Sequence, residues 1–314
     1  MPVPAVDSLA PDRFILWSPP PGMSLTVGAD GRQVSLAEFP LPLDLQHANQ
    51  PIPDDAAIGQ GLYDYLRRFP DCPGNVYYAH LLRDAFPHFL ADLAALAVML
   101  DAKQVEPAYV ARKLTCLKIL QLVEPANRGL LWQLSRGYFA LALEFVELAR
   151  CRQHLHQALR YAQDLQALDA TDPQALSLLA EIDLLMGDFP AAVAKWRRLA
   201  AQIGDPDQQA RIAERIKVCD RGEAPPWPLI EELEMIASAM QLHAQGDDAQ
   251  AVDLLDRIED RGQLPALFPS ADFYCLLGLC RQTAGNPGGA ALALHKALEL
   301  EPDHAASLSA LDNL

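Results

Sequence analysis

The side chains that could do chemistry are few and scattered. His154 and His156, in "RQHLHQ", lie two apart. In a helix that spacing turns the two rings about 200° from each other, so they cannot share a metal ion there. At a turn they could, with a third ligand supplied from elsewhere, but a solvated pair at a helix start is the plainer expectation. His80 and His88 flank Pro87 and fit partly buried structural histidines better than a catalytic pair. Cys275 and Cys280, five apart, sit too far round a helix to ligate one ion. Glu231, Glu232 and Glu234 read as acids gathered at a helix start, where the backbone dipole favours negative charge. The glycines of "IGQG", 58–61, fall inside a helical pattern and follow no strand, so helix packing explains them better than phosphate binding. No nucleophile elbow, P-loop, H-E-x-x-H or dinucleotide fingerprint occurs. We expect no catalytic residues, no metal and no cofactor.

Composition narrows the partners. Lys and Arg number 25 against 41 Asp and Glu, a formal charge of −16. Such a surface repels phosphate backbones unless basic residues are concentrated, and the densest basic clusters are pairs such as Arg67-Arg68 and Arg197-Arg198. A nucleic-acid partner is not expected. The six cysteines form no C-x-x-C pair and no even spacing, which suits reduced thiols in a cytoplasmic protein better than disulfides or structural zinc. "MPVPAVDSLAPDRF" lacks the basic start and apolar core of a secretory signal. The most apolar run, "FLADLAALAVML", has 12 residues and contains Asp92, too short and too charged to span a bilayer. A soluble, cytoplasmic chain with no membrane role is the expectation.

With so little local chemistry, the elements themselves become informative, and near the C-terminus they repeat. In "LLGLCRQTAGNPGGAALALHKALELEPDH", Leu277-Gly278 is followed by Gly285, then by Ala290, Ala297 and Pro302. Gly278, Ala290 and Ala297 are small where two helices must approach closely, Gly285 permits the turn, and Pro302 stops the second helix. The frame recurs as Leu179, Ala180, Gly187 and Ala192, with Trp196 as its aromatic, and as Ala239, Gly246 and Ala251. Upstream, Ala158 lies 34 residues before Ala192, in a unit with Gln153 where the turn glycine would stand.

These residues resemble the tetratricopeptide repeat, a 34-residue pair of antiparallel helices. The resemblance covers about 139–314 and implies an all-α solenoid of stacked pairs. The period is interrupted twice. Gly187 and Gly246 are 59 apart, and the surplus reads as an extra helix over about 207–220 followed by a proline loop with Trp227. Gly246 and Gly285 are 39 apart, so a five-residue insertion lies within "QLPALFPS". Leu308 and Leu311 predict a short capping helix at the end.

In this family the first helix of each pair lines a concave face that holds a protein segment. Carried over position by position, the resemblance puts Leu143, Glu147 and Arg150 on that face in one unit, and Gln174, Ser177 and Glu181 in the next. It adds Leu233, Ile236, Met240 and His243, and then Cys275 and Leu279. The matching places carry no lysine–asparagine clamp, which argues against capture of an acidic chaperone tail. The face grows apolar towards the C-terminus and suits a helix or extended apolar segment, supplied by a partner or by the chain's own N-terminal segment or extra helix. Trp227, between prolines, is a second candidate contact or a gap-filling linker residue.

The front of the chain differs. Over 1–50, "MSLTVGADGRQVSLAEF" alternates around "ADGR" and predicts a small hairpin turned at Asp30-Gly31, between proline-rich extended flanks. Over 51–138 the pattern is helical, broken or kinked at Pro87, with at best a degenerate helical pair around Pro125 that lacks the small residues which would complete the resemblance. The function expected is a non-catalytic interaction scaffold or adaptor. The alternative is an accessory subunit or maturation chaperone of one enzyme; an enzyme with its site in residues 1–138 is the remaining reading.

Overall fold

The computed structural model describes residues 13–28, 31–47, 50–101, 107–220 and 228–314. Among them four short strands precede fifteen α-helices, in two compact units, Met1–Gly137 and Tyr138–Leu314.

In the first unit, β2 (Ser24–Val27) and β3 (Arg32–Ser35) form the expected antiparallel hairpin, with Val27 opposite Arg32. Its turn residues Ala29 and Asp30 lie outside the described residues, while Gly31 has the left-handed φ of +69° that such a turn needs. The proline-rich flanks do more than extend. β1 (Phe14–Trp17) pairs antiparallel with β4 (Leu41–Asp44), Trp17 facing Leu41. Pro42 lacks an N–H but is tolerated, because both strands of a two-stranded ladder are edges. Two such ladders are marginal alone, and β4 lies along α1 (Asp55–Arg68). There the "IGQG" glycines find their use. A Cβ at Gly61 would run into the Pro42 carbonyl, and one at Gly59 would come within 2.8 Å of the Phe86 ring.

Proline 87 splits the next helical run completely. α2 (Asn75–Ala85) ends with Phe86 at φ −134°, and α3 (Pro87–Asp101) starts on the proline itself, where the missing N–H costs nothing. His80 is half-buried, but His88 is exposed, contrary to expectation. α4 (Pro107–Val123) and α5 (Arg128–Leu143) are the two helices on either side of Pro125, and α4 packs mainly on α3 and α2. One small residue outside the repeat frame lies where α4 and α5 touch. Gly137 meets Leu114, whose Cδ2 a Cβ there would approach to 2.5 Å.

The second unit is a stack of antiparallel, tetratricopeptide-like helix pairs. α7 (Pro173–Met186) turns into α8 (Phe189–Ala200) at Gly187, α10 (Leu229–Gln245) into α11 (Asp248–Arg261) at Gly246, and α13 (Ala271–Thr283) into α14 (Pro287–Leu300) at Gly285. The three glycines have φ of +84°, +82° and +83°. Each turn closes with the same long bond, from Asp188 N to Asp183 O, Asp247 N to Leu242 O and Asn286 N to Arg281 O. This pattern satisfies the carbonyls a helix leaves open at its C-terminus. Asp188 and Asn286 then cap the following helices through their side chains. Seven residues before each glycine and five after it sit Ala180 with Ala192, Ala239 with Ala251, and Gly278 with Ala290, all buried. At Gly278 a Cβ would come within 2.7 Å of Leu294, so the crossing there is set by the missing methyl.

The unit upstream departs from the pattern. Its turn is not at Gln153, which lies inside α6 (Cys151–Leu168), but in a 3-10 helix, Phe145–Arg150, between α5 and α6. Ala158 is nevertheless fully buried. The surplus residues form α9 (Pro206–Asp220), packed on α8, and the insertion forms the five-residue α12 (Gln263–Leu267). α15 (Ala305–Asp312) closes the end against α13 and α14.

Candidate functional site

The residues assigned to the inward face meet three different fates. In the last pair, the chain covers them itself. Cys275 is buried in a cluster with Leu294 and Ala310, and Leu279 and Leu311 pack against it. At the two ends of the same face, Asp272 pairs with His304 at 3.2 Å and Gln282 donates to the Asn313 carbonyl at 3.0 Å. α15 therefore lies along the groove surface of α13, and Cys275 and Leu279 are not open to a partner. Leu308 points outward, 44% exposed.

In the α7–α8 pair, Gln174 is exposed, whereas Ser177 and Glu181 line a recess of about 310 Å³ with Trp196 and the α9 residues Ile212 and Arg215. Arg215 Nη2 lies 3.5 Å from Glu181 Oε2. Burial pushes the Glu181 carboxyl above its ordinary range, and the Arg215 charge offsets only part of that. Asp183 on the same helix is likewise raised by burial, with Lys195 opposing. The extra helix thus covers this part of the groove.

Of the remaining inward residues, Leu143, Leu233 and Ile236 converge on an apolar pocket of about 330 Å³. Leu233 and Ile236 of α10 form its floor, Leu143, Phe145 and Leu148 one wall, and Leu264, Leu267, Phe268 and Phe273 the other. Leu233 and Ile236 are themselves buried, and Leu143, Phe145, Leu267 and Phe268 are half-buried around them. The local chain dictates this shape. Glu144 and Phe145 leave the helix for a 3-10 turn, and Phe268 with Pro269 ends α12, so both walls are irregular segments carrying apolar side chains. Sequence reasoning placed Leu233 and Ile236 but missed the α12 wall. The signal was "QLPALFPS" itself, a surface insertion rich in leucine, phenylalanine and proline.

Charge borders the pocket. Glu144 is raised by burial and then by the neighbouring charges of Asp272 and Glu147. Glu147 meets His154 Nε2 at 3.2 Å, and Arg150 is exposed. His154 is buried and stacks on Tyr138, so the histidines of "RQHLHQ" are no solvated pair: only His156 faces water, bonded to the Arg152 carbonyl. The glutamates of α10 separate in the same way. Glu231 is exposed, Glu232 is fully buried 3.7 Å from Arg261, and Glu234 takes two 2.7 Å bonds from Arg152.

Further along α10, Met240 is half-buried, and His243 does not join the pocket. Its Nδ1 makes a short hydrogen bond to Asp248 at the start of α11, with Cys280 of α13 beside them. Burial, together with the charge of Asp248 and its bond to the thiol, pushes Cys280 up to about 12. Trp227 lies outside the described residues.

No helix of the described residues is long and apolar enough to cross a membrane. No protein-family model and no curated protein matches the sequence. Three similar solved structures are those of the MamA protein, the TPR domain of P58(IPK), and TTC0263, a thermophilic TPR protein of Thermus thermophilus. Their identities are 15%, 16% and 17%, with TM-scores of 0.31, 0.34 and 0.27. The alignments cover 68%, 71% and 71% of this chain and 95%, 54% and 97% of theirs. At these scores the assignment of the repeat rests on the molecule's own turns and spacings.

Proposed function

We propose that the protein is a non-catalytic interaction scaffold whose second unit holds an apolar segment of a protein partner between α10, α12 and the 3-10 helix. The observation that carries this is selective coverage. α9 and α15 overlie the inward faces of two pairs, while Leu143, Phe145, Leu267 and Phe268 stay half-buried around a cavity of about 330 Å³. A pocket of that size holds a few apolar side chains, at the lower end of specific ligand sites. Glu144 and Asp272, each next in sequence to a lining residue, favour a segment whose apolar anchors are flanked by lysine or arginine.

The test is affinity capture from the native host with the intact chain. The double substitution Leu267→Asp and Phe268→Asp places charge on half-buried side chains, whereas Ile236, 4% exposed, would destabilise the stack if made charged. The double variant should fold as judged by helical circular dichroism and lose its partner; Leu292→Asp, on a 68% exposed position, should retain it. Undiminished capture by the double variant would refute the pocket. A single enzyme recovered in equal amount would specify the scaffold as an accessory subunit or maturation chaperone.

A further inference from the structure

We propose that His243, Asp248 and Cys280 form a binding site for one thiophilic divalent metal ion of the zinc class. Their ligand atoms, one imidazole nitrogen, one carboxylate oxygen and one sulfur, all lie within 4.8 Å of one another. Around a tetrahedral zinc ion, donors at about 2.0–2.3 Å from the metal are separated by roughly 3.3–3.8 Å. Side-chain adjustments of about 1 Å would bring the three donors to those separations.

The fold positions each ligand by a separate device. The Gly246 turn ends α10 three residues after His243 and starts α11 at Asp248, so the imidazole and the carboxylate face each other across a closed, hydrogen-bonded turn. α13 of the next pair then brings Cys280, fully buried, against that turn. No local motif could reveal this set, because its third member comes from the next repeat.

The donor chemistry selects the ion. One sulfur and one nitrogen disfavour calcium and magnesium and suit zinc, or cobalt as its spectroscopic substitute. Coordination replaces the thiol proton, which leaves to the buffer. The neutral imidazole binds through its unprotonated nitrogen and keeps its one proton on the other. A thiolate and a carboxylate then balance the 2+ charge, leaving a neutral buried site. His243 keeps 33% of its side chain exposed, which gives the ion a path in and leaves a fourth position for water. A histidine–aspartate hydrogen bond alone would need no thiol hydrogen-bonded to the same carboxylate.

The experiment uses the full, tag-free chain, stripped with chelator, dialysed and titrated with cobalt(II). The expected result is one equivalent bound, with visible ligand-field bands and a near-ultraviolet thiolate-to-cobalt band, both abolished on adding zinc. Cys280→Ser should remove the thiolate band, and Cys275→Ser should leave it. His243→Ala should weaken binding by more than about tenfold. Should Cys280→Ser fail to fold, His243→Ala, at a partly exposed position, decides the matter by the same affinity measurement. No thiolate band, a band that survives Cys280→Ser, or unchanged affinity in His243→Ala would overturn the site.

Discussion

Two glutamates show how differently one side-chain type can be used in this stack. Glu181, beneath α9, has its carboxyl raised by burial, with only Arg215 to offset it. A raised carboxyl contributes stability below its unfolded pKa of about 4.3, and that contribution is lost as pH rises through the folded value. Above the unfolded pKa the buried carboxyl is therefore a cost. Glu181→Gln should raise Tm at neutral pH, and the gain should shrink as the pH falls towards that of ordinary carboxylates. Glu259 is the reverse. Burial would raise it, but hydrogen bonds from Lys296 at 2.6 Å and Arg281 at 2.7 Å outweigh burial and hold it low. Its stabilisation is present above the unfolded pKa and fades as pH falls through the folded one. Glu259→Gln should lower stability at neutral pH by on the order of 1 kcal/mol and cost little in acid. Thermal melts of both variants across acid to neutral pH check the pair of signs; equal, pH-independent shifts would contradict them.

At the scale of elements, three turns use one design, and their glycines are not equivalent. Gly246 and Gly285 need only the left-handed φ, since a Cβ at either meets nothing within 4 Å. Alanine there should cost about 1 kcal/mol. At Gly187 the same methyl would press within 3.2 Å of the Pro228 Cα, and at Gly278 it would invade Leu294. Gly187→Ala and Gly278→Ala should therefore each cost more, Gly278→Ala on the order of 1–3 kcal/mol from overpacking. Denaturant unfolding of the four variants ranks them. The turns and small residues were legible because they recur in register and act locally. The pairing of β1 with β4 was not, since a two-stranded ladder joining Trp17 to Leu41 leaves no local signature. The contact of Gly137 with Leu114 was not legible because it lies outside the repeat frame, and the Gln153 turn was misplaced because the chain breaks earlier, at Glu144.

Across the whole molecule, the two interruptions of the period shape what the second unit's inward face leaves open. The surplus over 207–220 was visible as a count of residues, and the capping helix as leucine spacing. What each one covers was not visible, because that depends on contacts between elements far apart in sequence. α9 is set over Glu181 by Arg215, and α15 over Cys275 by Ser307, Ala310 and Leu311. The α12 insertion, by contrast, builds a wall that leaves a cavity beside Ile236. Under the proposed function, a stack that fills its groove in two places and leaves an apolar pocket in a third takes one short segment of a partner. It is not suited to a long peptide running the length of a concave face.

Site-directed photo-crosslinking in the native host tests this most directly. A photoreactive residue in place of Leu267, at the pocket, should crosslink to one short segment of a partner protein, apolar with basic flanks. The same residue at Leu292, 68% exposed on α14, should not. Equal crosslinking from both positions, or none from Leu267 while the partner still co-purifies, would contradict the account.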